Sequence, residues 1–156
     1  MRGLRPQVAV GADGWPNIDV VESVCERVLR RVQEGFPEIF SLDYINGIYP
    51  TILISPPENA DLTIVCYGGM LEIVEKVLEP LLFEHEIMVE VICPSLLSSI
   101  DIEKIKSLVM KSKKLLAIEE GDPYTGYSSQ IIAELHESGF NNFMAKTIGY
   151  SGIIPA

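Results

Sequence analysis

The chain has 156 residues, 47% of them hydrophobic, which is enough apolar material for one domain with a sizeable core. Its 12 basic and 22 acidic residues give a formal net charge of −10, which argues against nucleic acid or an anionic membrane as partner, because phosphate contacts need clustered Lys and Arg. Three scattered cysteines, Cys25, Cys66 and Cys93, form no Cys-x-x-Cys pair, so neither a disulfide framework nor a zinc site is indicated and a cytoplasmic protein is expected.

The first predicted element is a helix over residues 18–32. Ile18, Val21, Cys25, Val28 and Val32 step by three and four, and Val24 and Leu29 widen that apolar stripe. Asn17 suits the N-cap, Asp19 and Glu22 the first turns, and Arg27, Arg30 and Arg31 the last, with Gly35 as a left-handed stop. The stripe is too short for a coiled-coil seam, so a helix lying on a sheet is the favoured reading. Next, Asn46-Gly47 between two apolar runs fits a hairpin, although Pro50 weakens the second arm because it has no amide to donate. Ser55-Pro56-Pro57-Glu58-Asn59 reads as a stiff linker, which divides the chain into an extension of unclear role (1–59) and a compact repeating part (60–156).

From Asp61 to Ile148 the pattern is strand, helix, strand, helix, strand, helix, strand. The apolar runs Leu62–Tyr67, Ile87–Cys93, Leu115–Ile118 and Phe143–Ile148 alternate with segments whose apolar residues recur every three or four positions. That alternation predicts an α/β fold, three layers deep, with a mainly parallel sheet. The first helix has Leu71, Val74, Val77, Leu78, Leu81 and Leu82 on one face, and Pro80 predicts a kink or an early end. The second opens on Asp101, with Ile100 and Ile105 placed for a hydrophobic staple and Lys111, Lys113 and Lys114 complementing its C-terminus. The third turns Ile131, Ile132 and Leu135 inward and follows a long loop, Gly121 to Gly126, particular enough to suggest more than a connection.

Catalytic chemistry is not announced by any of these segments. In an open parallel sheet, Gly68-Gly69, Pro94-Ser95 and Glu120–Asp122 should share the edge where strands end and helices begin. Gly68-Gly69 lacks the spaced glycines of a dinucleotide fingerprint and the Gly-Lys-Ser/Thr of a P-loop, so a plain tight turn outweighs a phosphate cradle. Glu119, Glu120 and Asp122 are the densest carboxylate cluster, suited to a hard cation or an acid–base pair. Against that, adjacent strand residues point to opposite faces, and a meeting with solvent or a helix dipole is the simpler outcome. His85 and His136 have no Ser, Cys or Asp at a triad spacing, and Cys66 and Cys93 sit where small core residues are ordinary. Tyr124 and Tyr127 flank Gly126 and can either anchor an interface or pack over the sheet edge.

The order of residues carries more than their types. Ala60-Asp61-Leu62-Thr63-Ile64-Val65-Cys66-Tyr67-Gly68, then Val89-Glu90-Val91-Ile92 with Pro94, Ser95, Leu96 and Ile100-Asp101, then Leu115–Gly121, Gly126-Tyr127 and the closing Gly149-Tyr150-Ser151-Gly152-Ile153-Ile154-Pro155 together resemble the C-terminal domain of the transketolase family. Within it they most resemble the beta subunit of thiamine-diphosphate-dependent 2-oxo acid dehydrogenases of the pyruvate and branched-chain type. The resemblance implies a domain that supports a dimer and helps dock an acyltransferase core, while thiamine diphosphate and its magnesium lie between two other domains. It therefore implies no catalytic residue, cofactor or metal held by this chain alone, and partnership with catalytic domains or subunits of the same enzyme. The family usually continues past the equivalent of Pro155, which implies a fragment or a reduced relative. Candidate interface residues are Asp101 and Glu103 at the acidic start of a helix and Glu119, Glu120, Tyr124 and Tyr127 around the long loop. The alternatives are a stand-alone binding module that kept the fold, or an independent enzyme with a ligand at Gly68–Met70 and Glu119–Asp122.

Overall fold

Four short runs of β-branched and aliphatic residues form a parallel core: β3 (Leu62–Cys66), β4 (Val89–Cys93), β5 (Lys114–Ile118) and β6 (Met144–Ile148). Two further strands, β1 (Ser41–Ile45) and β2 (Thr51–Ser55), precede them. The computed structural model describes residues 40–45 and 51–149; the expected helix over 18–32, the Asn46-Gly47 dipeptide and the closing residues from Tyr150 onward lie outside these. The strands make one six-stranded sheet in the order β1-β2-β4-β3-β5-β6. β4, β3, β5 and β6 are mutually parallel, whereas β2 pairs antiparallel with β4, placing Leu53 beside Ile92, and β1 antiparallel with β2, placing Ile45 opposite Thr51. Residues 56–61 thus connect two strands of the same sheet.

Three helices complete the layers: α1 (Met70–His85), α2 (Ile102–Ser112) and α3 (Tyr127–Glu137). Their faces follow from handedness. The connection β3–α1–β4 moves to one side of β3, and β4–α2–β5 crosses back to the other, so right-handed crossovers put α1 and α2 on opposite faces of the sheet. The side chains agree with this. Leu53, Val65, Ile92 and Leu115 pack with Ile105, Leu108 and Val109 of α2, Ile131 and Leu135 of α3, and Phe140 in one core. The alternate residues Ile64, Cys66, Val89 and Val91 face the other way, toward Leu71, Val74 and Leu78 of α1, which contacts β3 and β4. This is a three-layer α/β/α fold with a mainly parallel sheet, as its sequence predicts.

Each helix ends for a local reason. α1 does not stop near Pro80: it runs five residues further, to His85, because losing one amide costs less than exposing the apolar residues Leu81 and Leu82, which stay half-buried. Glu86, in the left-handed conformation at φ 55°, closes it with its amide on the Leu82 carbonyl at 3.1 Å. Asp101 caps α2 through Oδ1, which accepts from the Lys104 amide at 3.0 Å, and Ile100 packs against the core that holds Ile105, so the predicted staple forms.

Candidate functional site

In a sheet of this order the crevice opens beyond the C-terminal ends of β3 and β5, whose connections leave in opposite directions. Three turns meet there: Tyr67-Gly68-Gly69 after β3, Pro94-Ser95 after β4 and Glu119–Asp122 after β5. Gly68 takes φ 57°, which lets the chain reverse directly into α1.

Glu119 and Glu120 diverge as neighbours on a strand must. Glu119 turns to the α3 side, is only 3% exposed, and its carboxylate accepts from the amides of Tyr127 at 3.0 Å and Ser128 at 3.2 Å. It supplies the cap that Gly126, which has no side chain, cannot give to α3. Glu120 turns to the α1 side, where Oε1 lies 2.9 Å from the place a Cβ on Gly69 would occupy, so it stands over the first residue before α1. With Asp101 capping α2, two of the three helices are capped by a carboxylate of the chain itself, and α1 begins at Gly69 with Glu120 nearby but no side-chain cap. Asp122 is also committed, its Oδ1 accepting from the Tyr124 amide at 2.7 Å. The three acids of the loop therefore do not converge, and among the described residues no group of three or more His, Cys, Asp or Glu is arranged to hold a metal ion.

The loop from Gly121 to Gly126 is held firmly. Ser129 Oγ donates to the Pro123 carbonyl at 2.7 Å, and the Glu119 amide to that of Ile148 at 3.0 Å. A Cβ on Gly126 would run into the Glu119 carboxylate and the Asp122 carbonyl, so this glycine is set by close approach rather than by its backbone angle. The loop presents Tyr124 to solvent at 86% exposure. Tyr124 and Tyr127 do not pair; Tyr127 instead meets Tyr67 edge to face, ring centroids 5.2 Å apart. Both tyrosines of the loop do line one open groove of about 680 Å³, with Leu97, Ser98, Ser129 and Gln130.

Burial, then the carboxylates of Glu119 and Glu120, push the Tyr67 phenol above its ordinary value. The Tyr127 hydroxyl is buried without a hydrogen-bond partner, and burial raises it further. Cys66 and Cys93 are buried neighbours at the ends of β3 and β4; the hydrogen bond that the Cys66 thiol gives to Cys93, and then burial, push the Cys66 thiol up, which removes it as a nucleophile. The Nδ1–H of His136 donates to Asn141 Oδ1 at 2.6 Å, and the ring stacks on Phe143. Of the residues expected at an interface, Tyr124, Glu103 and Glu120 are exposed, Asp101 is exposed but engaged in its cap, Tyr127 is half-buried, and Glu119 is enclosed. Glu103 has a long ion pair with Lys106 at 3.8 Å. Tyr67, Leu97 and Ser98 were not singled out by the sequence; an aromatic residue directly before Gly68-Gly69 is the one signal that marked the edge.

These features define an α/β domain of the doubly wound kind whose crevice is lined by its own capping acids. The family model for the transketolase C-terminal domain matches residues 53–153, and the chain belongs to that family. No curated protein sequence matches it. Among solved structures it is similar to a split-gene transketolase described as an inactive beta4 tetramer, with a TM-score of 0.57 and 20% identity over 66% of this chain and 33% of that one. It is also similar to the 2-oxoglutarate:ferredoxin oxidoreductase of Magnetococcus marinus, with a TM-score of 0.45 and 16% identity over 90% of this chain and 22% of that one. The chain thus spans a third or less of the length of these relatives. No helix among the described residues is long and apolar enough to cross a membrane.

Two outcomes test this geometry. Glu119→Ala strands two amides at the start of α3 and should lower unfolding free energy by about 2 kcal/mol or more, with Gly126→Ala having a similar effect by displacing the same carboxylate. Chemical denaturation checks both; a loss below about 0.5 kcal/mol for each would show that the cap is dispensable. On alkaline titration, Tyr67 and Tyr127 should ionise after the ordinary tyrosines. Their folded values are raised, so the stability they contribute is complete below the unfolded value of about 10 and is lost as pH rises through the folded ones. Absorbance of phenolate should therefore rise late and together with unfolding, and be earlier by two phenols' worth in denaturant.

Proposed function

We propose that this chain is the C-terminal assembly and partner-docking part of a thiamine-diphosphate-dependent enzyme of the 2-oxo acid dehydrogenase or transketolase-like kind, with no complete active site of its own. The observation that carries this is that Asp101 and Glu119 cap α2 and α3, while a third acid, Glu120, stands over Gly69 ahead of α1. A diphosphate needs free amides and cations and its magnesium converging oxygens; at this edge the amides of α2 and α3 are taken by the chain's own acids, another acid stands at Gly69, and the acids of the β5 loop do not converge. The cofactor in this reading is held by other domains or subunits.

What the same edge does offer suits a protein partner. Tyr124 stands exposed at a groove also lined by Leu97, and the exposed acids Glu103, at the start of α2, and Glu120, after β5, add negative charge to the chain's surface. An exposed aromatic anchor on an acidic chain fits a basic partner, such as the core of an acyltransferase or a catalytic subunit of the same enzyme. Self-association belongs to the reading as well, and the split transketolase whose beta chains form an inactive tetramer is in keeping with both halves of it. The location proposed is the cytoplasm, where the neighbouring Cys66 and Cys93 stay as thiols.

Thiamine diphosphate with magnesium should leave the melting temperature of the isolated chain unchanged; a saturable upward shift would mean the chain holds the cofactor and would overturn the reading. For the docking edge, partners captured from a lysate of the source should include thiamine-dependent or acyltransferase subunits. A variant carrying Asp101→Asn, Glu103→Lys and Glu120→Lys keeps the α2 cap, since Asn caps as well as Asp, and should slow association with such a partner roughly tenfold at low salt. An unchanged rate would remove these acids from the interface.

A further inference from the structure

The two cysteines of the described residues end neighbouring strands. Val65 lies beside Ile92 in the parallel pairing of β3 with β4, so Cys66 and Cys93, one residue further along each strand, are the next pair in register. Parallel neighbours stand about 4.8 Å apart, inside the Cα range that disulfides span, roughly 4.4–6.8 Å. Both side chains turn to the α1 side, as those of Ile64 and Val91 do two residues earlier. Ile52 flanks Cys93 on β2 and Ile118 flanks Cys66 on β5, so the row across the sheet is apolar apart from the two sulfurs. Their surroundings differ in one respect. Cys66 is fully enclosed, whereas Cys93 is 7% exposed and leads directly into Pro94-Ser95 at the crevice, where Ser95 is exposed. The Cys66 thiol gives its hydrogen bond to Cys93, and that bond and then burial hold the proton on Cys66.

We propose that Cys66 and Cys93 form a peroxide-oxidisable pair, in which Cys93 takes up the oxidant and Cys66 closes a disulfide between β3 and β4. The roles follow from exposure and from the place of the proton. Hydrogen peroxide is small enough to reach Cys93 from the crevice. The Cys93 thiolate, its proton lost to water, attacks one peroxide oxygen; the O–O bond breaks, hydroxide leaves and takes up a proton from water, and Cys93 carries a sulfenic acid. Cys66 then attacks the Cys93 sulfur. The S–S bond forms, the S–O bond breaks, and the Cys66 proton leaves on the hydroxyl as water. Two thiols lose two electrons in all, and one peroxide becomes two waters. Cys66 does not open the reaction, and its retained proton is the one the departing hydroxyl needs. The product joins the strands that lead into Tyr67-Gly68-Gly69 and Pro94-Ser95, so it fixes the spacing of two of the three turns at the crevice.

Peptide mapping of the full chain tests this independently of the docking edge. After native protein is treated with hydrogen peroxide and its free thiols are blocked, non-reducing digestion should yield the peptides of Cys66 and Cys93 joined, two hydrogens lighter than their sum. Dithiothreitol should separate them. The oxidised chain should melt about 5 °C or more above the reduced one, because the link closes a loop between strands that already stand at bonding distance. Cys66→Ser should accumulate a sulfenic acid at Cys93 that dimedone labels, whereas Cys93→Ser should leave Cys66 unlabelled. Two thiols that stay free in the wild type, a Cys93 that goes on to sulfinic acid, or a link from either to Cys25 would overturn the pair. So would an oxidised chain that melts below the reduced one, since the link would then form only after the strands part. Dimedone on Cys66 in the Cys93→Ser chain would overturn the assigned order, and the wild-type mapping decides the pair even where a variant does not fold.

Discussion

The right-handedness of the parallel crossovers is the constraint on which the rest of this structure depends. Because β4 lies to one side of β3 and β5 to the other, α1 must occupy one face while α2 and α3 share the other. One consequence is the crevice between the ends of β3 and β5, where Tyr67 meets Tyr127 and the acids of the β5 loop spread apart. A second is that one helix cannot cover four parallel strands. Among the described residues α1 contacts β3 and β4, and Met144 and Ile148 of β6 stay exposed.

Electrostatics at the sheet edge then decides what kind of site this can be. A helix N-terminus attracts an anion, and in many α/β proteins that anion is a ligand phosphate. Here the anions are fixed parts of the chain. Glu119 reaches α3 because it leaves the strand on the α3 side, and Glu120, one residue later, leaves on the α1 side and stands over Gly69. Two consecutive acids thus turn to opposite layers, one capping α3 and the other standing over Gly69, a division that follows from the alternation of an extended chain. Gly69 and Gly126 are the matching concessions, since a methyl group at either would press on one of these carboxylates.

Much of this was legible in the residues themselves. Four apolar runs alternating with helical spacing announce parallel strands joined by crossover helices, and Asp101 with Ile100 and Ile105 announces the start of α2; both appear as read. The divergence of Glu119 and Glu120 was equally readable from spacing alone. Two things were not. Proline at position 80 argues for interruption, yet α1 passes through it, because the packing of neighbouring leucines is a tertiary effect that local preference does not contain. The partner of Tyr127 lay sixty residues away at Tyr67, and no periodicity links the two; only the parallel pairing of β3 with β5 brings them to one edge.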